Sequence, residues 1–93
     1  MNKNITLPKI AVLLTVYNGR AWMEDQIESI LLQKVVNIDL YISIDLSTDG
    51  SYERCLELAR KNNNIKILPY GDRFGGAALN FFRLIRDVDF TNY

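Results

Sequence analysis

Three short apolar runs alternate with three stretches of helical periodicity along this chain, and no other feature restricts its fold as sharply. Ile10-Ala11-Val12-Leu13-Leu14 is continuously apolar, the pattern of a strand buried on both faces, and it leads to the turn-forming pair Asn18-Gly19. A first strand is therefore read at about residues 9–15. From Ala21 to Gln33, Trp22, Met23, Ile27, Ile30 and Leu31 recur at spacings of three and four, with Glu24, Asp25 and Glu28 near the start, where acidic groups suit the helix dipole. Leu40-Tyr41-Ile42-Ser43-Ile44 predicts a second strand, and Tyr52, Cys55, Leu56 and Ala59 a second helix ending near Lys61. Ile65-Lys66-Ile67-Leu68 predicts a third strand, closed by Pro69, and Ala78, Phe82 and Ile85 continue into a third helical period reaching Val88 or Asp89.

Strand and helix alternating at this spacing imply parallel strands joined by right-handed crossovers. The expected fold is thus α/β, a three-layer Rossmann-like βαβαβα unit with sheet order 3-2-1. Its polar strand-end loops gather along the sheet edge where open α/β proteins bind ligands.

Composition removes whole classes of function. The 93 residues carry 11 basic and 11 acidic side chains, so the basic excess of a nucleic-acid binder is missing. A 48% hydrophobic content argues against a disordered chain. With one cysteine and no histidine, the chain cannot close an intramolecular disulfide, build a Cys/His zinc site or run a histidine-based triad. Cys55 reads as a small buried hydrophobe. Met1-Asn2-Lys3-Asn4 and the short apolar run after it lack the length of a signal-peptide core or a membrane span, so a cytoplasmic location is expected.

Three loops can carry chemistry: residues 15–19, 45–51 and 70–76. Together they offer hydroxyls, carboxylates, the Arg73 guanidinium, aromatic rings and open backbone amides, a set suited to a nucleotide. Neither Gly-x-Gly-x-x-Gly nor Gly-x-x-x-x-Gly-Lys-Ser/Thr occurs, so dinucleotide and P-loop sites lose support. Asp45 can accept the imide N–H of a pyrimidine, and it can equally cap its own turn. Tyr17 can stack on a base or lie over the core edge. Asp49 and Ser51 suit the start of the second helix. Arg73 offers a fork for a diphosphate, though a solvated loop arginine is commonplace. Trp22, Phe81 and Phe82 read as packing residues.

The motifs bear a resemblance. Ile10 to Gly19 ending in Thr15-Val16-Tyr17-Asn18, then Ser29-Ile30-Leu31-Leu32-Gln33, then Asp45-Leu46-Ser47-Thr48-Asp49-Gly50, resemble in order and spacing the start of a family 2 inverting glycosyltransferase of GT-A fold. A fourth segment, Arg73-Phe74-Gly75 with Ala78 and Asn80, is similar to that family's Asn-x-Gly-x-x-x-Ala-x-Asn. The nearest flavour is the bacterial rhamnosyl- and galactosyl-transferases that build surface polysaccharide. The resemblance implies a nucleotide site formed by Thr15, Tyr17, Asp45, Ser47 and Arg73, with Asp45 on the base N3–H. A carboxylate there selects uracil or thymine over cytosine, whose N3 carries no proton. Leu46 stands where the family has glycine, Ile44 where it has a first aspartate, and Arg73 where asparagine is usual.

The resemblance further implies a UDP- or dTDP-sugar donor, a saccharide or lipid-linked saccharide acceptor, and a divalent cation (Mn or Mg) in the full-length enzyme. Family members hold that cation through an Asp-x-Asp after a later strand. Asp87-Val88-Asp89 has the spelling but falls at a helix end, and reads as a solvated terminus, so no metal is expected on this chain alone. Residues 1–93 are accordingly expected to be a single partial domain, about the first third of a catalytic domain and inactive in transfer, with the full-length protein expected in the cytoplasm or at the inner face of the membrane. Two other classes compete: a flavodoxin-like or receiver-like binding module, which would want an acidic cluster where Thr15-Val16-Tyr17 stands, and an oligomeric fragment in which an open sheet edge pairs with a second copy.

Overall fold

The computed structural model describes residues 7–33 and 36–93; the Met1 to Asn4 stretch read above lies outside them. Strands β1 (Lys9–Val16), β2 (Asn37–Ile44) and β3 (Ile65–Ile67) form one parallel sheet in the order β1-β2-β3, joined and followed by helices α1 (Met23–Leu31), α2 (Ser51–Lys61) and α3 (Ala77–Asp87). The expected alternation and strand order are both present. β2 begins at Asn37, three residues before the apolar run that announced it. The parallel ladder sets Asn37, Ile38 and Asp39 opposite Lys9, Ile10 and Ala11, so pairing draws polar residues into the strand.

Side-chain alternation sorts the two faces. Leu40, Ile42 and Ile44 of β2, with Leu14 and Val16 of β1 and Ile65 of β3, form a core that Met23 and Ile27 of α1 and Cys55 and Leu58 of α2 close from one side. Both crossovers step in the same direction along the sheet, so their right-handedness puts both helices on that side. Arg54 fastens α2 to α1, donating from Nε and Nη2 to the two carboxylate oxygens of Glu24 at 2.7 and 2.8 Å. Cys55 is fully buried with its Sγ 3.5 Å from Met23 Sδ, and burial pushes its thiol up to about 11, as suits an inert hydrophobe.

The third helix lies on the opposite face, against β1 and β2, and completes three layers. Its orientation differs from the one its apolar periodicity suggests. Ala78, Phe82 and Ile85 are exposed, and the buried face is Asn80, Arg83 and Leu84, with Val88 just beyond. The physical reason is the surface it meets: the buried hydroxyl and carbonyl of Ser43 take hydrogen-bonding partners, which Asn80 and Arg83 supply. Trp22, Phe81 and Phe82, read as packing residues, retain 42, 40 and 61% of their surface exposed.

Asp87 closes α3 as the solvated terminus expected of it. Hydrogen bonds from Arg86 and Arg83 hold its carboxyl at about 2, below the ordinary 3.8, and Arg54 likewise holds Glu24 below its ordinary value. A carboxylate with a depressed native value stabilises the fold fully above its unfolded value and loses that contribution as pH falls through the native one. Acid titration of the unfolding midpoint should therefore show a decline from about pH 4 towards pH 2, made shallower by Asp87→Asn. An Asp87→Asn profile superimposable on wild type would refute the assignment.

Candidate functional site

The carboxyl-end loops of the sheet open on one cleft of about 570 Å³, lined by Thr15, Tyr17, Trp22, Asp45, Arg73 and Asn80 together with Val16, Gly75, Gly76 and Ala77. Of the five residues that the sequence nominates, Thr15, Tyr17, Asp45 and Arg73 meet here. Thr15 is half-buried at the end of β1, Tyr17 is 53% exposed just beyond it, and Arg73 lies exposed at the rim. Ser47 does not line the cleft. Its hydroxyl accepts from Asn18 N at 3.0 Å and donates to Asp45 O at 2.7 Å, while its amide donates to Tyr70 Oη at 2.9 Å.

Ser47 belongs to a set of bonds that knits the three loops together. Thr48 N donates to Asn18 Oδ1 at 2.8 Å, Gly19 N to Ser51 Oγ at 2.9 Å and Arg20 N to Asp49 Oδ2 at 2.9 Å. Asp49 Oδ1 also accepts from Ser51 N, so both residues serve the start of α2 and the first loop at once. Tyr70 stacks flat on Tyr52 with ring centroids 4.0 Å apart. The polar motif residues after β2 are thus largely builders of the loop, which frees backbone and a few side chains to face the cleft.

Asp45 sits at the base of this arrangement, 3% exposed. Its Oδ1 accepts from Leu46 N at 2.9 Å and Phe74 N at 2.7 Å, and its Oδ2 from Gly75 N at 3.3 Å. A carboxylate has about four acceptor positions on its two oxygens, so one remains open on Oδ2. Capping and ligand reading, which the sequence poses as rivals, are compatible in one carboxylate. Leu46, in the family's glycine position, causes no strain: Asn18 at φ +44° is the only non-glycine with positive φ among the described residues. The left-handed turn falls on Gly50 at φ +84° instead.

Three further contributors to the cleft were not nominated as site residues from the sequence, although Gly76 lies in a strand-end loop and Asn80 in the fourth motif. Trp22 lies against Gly19, where any side chain's Cβ would come within 2.7 Å of the indole, so glycine lets the ring settle at the cleft wall. Gly76, at φ +139° and ψ 164°, takes a backbone conformation open essentially to glycine alone and starts α3 beside the cleft. Asn80 reaches the floor from α3, 1% exposed. The apparent signal for Asn80 is its polar side chain among Leu79, Phe81 and Phe82.

An open parallel sheet with its cleft outside the carboxyl ends of the strands defines the chain as an α/β protein of the Rossmann-like, GT-A kind. Residues 11–86 match the model of Glycosyl transferase family 2, and the chain belongs to that family. It is similar to the dTDP-rhamnosyl transferase RfbG of Shigella flexneri, 48% identical over 81 residues that make up 86% of this chain and 28% of the relative. It is also similar to the glycosyltransferase GlyG of Streptococcus pneumoniae serotype 4 (33% over 69 residues; 74% of this chain, 23% of the relative). A third relative is the putative glycosyltransferase EpsH of Bacillus subtilis (30% over 73 residues; 78% and 21%). The chain spans about a quarter of the length of these relatives. The family match leaves the receiver-like alternative without support. No helix among the described residues is long and apolar enough to cross a membrane.

Proposed function

We propose that this chain is the nucleotide-binding part of a glycosyltransferase that moves a sugar from a dTDP- or UDP-sugar to a saccharide or lipid-linked saccharide acceptor in bacterial surface polysaccharide synthesis. The observation that carries the reading is Asp45, a buried carboxylate with one acceptor position left, in a cleft with Tyr17, Thr15 and Arg73. The open position on Oδ2 takes the N3–H of uracil or thymine. Tyr17 supplies a ring for the base to stack on, Thr15 lies at the base or ribose, and Arg73 at the rim meets the diphosphate through its fork of donors. Ser47 acts by holding these loops rather than by touching the nucleotide. The rhamnosyl transferase relative favours dTDP as the nucleotide.

Among the described residues no three Cys, Asp or Glu side chains converge into a cation site, so these residues do not fit a cation by themselves. A divalent cation, Mn or Mg, that neutralises the departing diphosphate belongs with other residues of the parent enzyme. Transfer would run in the cytoplasm, at the inner membrane face when the acceptor is lipid-linked. Among the described residues β1 pairs on one side only, and its other edge offers a pairing surface to a second copy of the chain.

Titrating the chain with dTDP, UDP and CDP while following backbone amide resonances tests the reading. We expect dTDP and UDP to move the signals of residues 15–17, 45–46 and 73–76, and CDP to bind roughly tenfold more weakly, the cost of leaving a buried acceptor facing another acceptor. Indifference to all three nucleotides at millimolar concentration, or equal response to CDP, would overturn it.

A further inference from the structure

Beneath the cleft runs a buried polar chain that the nucleotide reading does not use. Arg83, 5% exposed on the inner face of α3, donates from Nη1 to Ser43 Oγ at 2.8 Å, from Nη2 to Pro69 O at 2.6 Å and from Nε to Asp87 Oδ2 at 3.0 Å. Its guanidinium carbon lies 5.0 Å from the centre of the Phe74 ring. Ser43 Oγ passes the chain on to Asn80 Oδ1, and Asn80 Nδ2 donates to the carbonyl oxygen of Ser43 at 3.0 Å and, at 3.5 Å, to that of Val16 at the end of β1.

Arg83 thereby grips the β3–α3 loop twice, at the Pro69 carbonyl where it leaves the sheet and at the Phe74 ring halfway along. Phe74 and Gly75 are the residues whose amides reach Asp45, and Arg73, Gly75 and Gly76 line the cleft. A buried guanidinium is costly unless each donor is matched. The Ser43, Pro69 and Asp87 bonds give each guanidinium nitrogen one partner, and the Pro69 bond holds only with the loop in this place. A planar fork addressing three acceptors and one ring cannot be replaced by the single point charge of lysine.

We infer that Arg83 is a positioning residue for the nucleotide site: bonded to Ser43 and Pro69 and packed on Phe74, it holds loop 69–76 at the height at which Phe74 and Gly75 engage Asp45. The inference rests on the nucleotide reading for its effect on affinity, but its effect on the loop stands apart from any ligand.

The test pairs amide hydrogen exchange with nucleotide titration on Arg83→Lys, on Phe74→Leu, which breaks the grip from the loop side and leaves the core untouched, and on Arg86→Met as control. Arg86 neighbours Arg83 on the same helix and pairs with the same Asp87, but is largely exposed. Expected in Arg83→Lys is faster exchange at the Phe74 and Gly75 amides relative to those of β2, with dTDP and UDP binding roughly tenfold weaker. Phe74→Leu should shift both in the same direction by about two- to fivefold, and Arg86→Met neither. A general loss of stability would raise exchange throughout the sheet and leave the affinity of the folded chain unchanged. Wild-type loop exchange and affinity in Arg83→Lys and Phe74→Leu would overturn the inference. If the wild type binds no nucleotide while Arg83→Lys still frees the loop amides, the positioning role stands and the nucleotide reading falls.

Discussion

Replacing Asp45 by Asn should abolish the preference for uracil and thymine nucleotides and turn it towards cytosine. In the wild type Oδ1 serves Leu46 N and Phe74 N, and Oδ2 serves Gly75 N more loosely at 3.3 Å. An Asn that keeps its oxygen on Leu46 and Phe74 retains the two shorter bonds and turns an NH2 towards Gly75 and the cleft. There it meets one N–H from the backbone and, in the proposed complex, another from the base imide. Loss of the Gly75 bond should cost about 1–2 kcal/mol of stability, and the imide clash should weaken dTDP and UDP by roughly tenfold or more. Cytosine N3 is an acceptor and matches the new donor. Titration with UDP, dTDP and CDP beside a urea unfolding curve separates the two effects. Asp45→Asn that still bound UDP as the wild type does would remove Asp45 from base recognition.

The second large effect concerns the core. Ile42, with no exposed surface, stands at the centre of β2, opposite Leu14 on one side and Ile67 on the other. Ile42→Ala should destabilise by about 2–5 kcal/mol through lost burial and the cavity left behind. Against a total of roughly 5–14 kcal/mol for a chain of this size, that is enough to unfold a sizeable fraction at moderate urea. Phe82→Ala, by contrast, should change stability by no more than about 0.5 kcal/mol, since the ring is 61% exposed. Urea midpoints of the two variants decide this. A Phe82→Ala loss as large as that of Ile42→Ala would mean that α3 packs its apolar face and not the face carrying Asn80 and Arg83.

Those two side chains mark the boundary between what could be read and what could not. Ile42 belongs to Leu40-Tyr41-Ile42-Ser43-Ile44, a segment rich in β-branched and aromatic residues, and such a segment has few destinations other than a buried strand. Phe82 belongs to an equally good helical period, yet periodicity says only that a helix has two faces, and not which one the neighbouring surface will accept. The sheet surface that α3 meets presents the hydroxyl and carbonyl of Ser43, so it takes Asn80 and Arg83 and leaves Leu79, Phe82 and Ile85 outside. Asp45 shows the same limit within the cleft. Its place at the end of β2 follows from the chain pattern, but its bonds to Phe74 and Gly75 join residues about thirty positions apart.

From its own residues the chain determined its alternating elements, the parallel sheet, the cleft edge and, through four spaced motifs, its family, because each depends on local hydrophobic period or on short runs of side chains. The face on which α3 lies, the withdrawal of Ser47 from the cleft into loop construction, the entry of Trp22 and Asn80, and the grip of Arg83 on loop 69–76 were decided only by the tertiary structure. Trp22 enters through the space left at Gly19; the others depend on which hydrogen-bonding groups remain unsatisfied once the sheet has formed, and a buried donor or acceptor finds its partner by proximity in space, irrespective of distance along the chain.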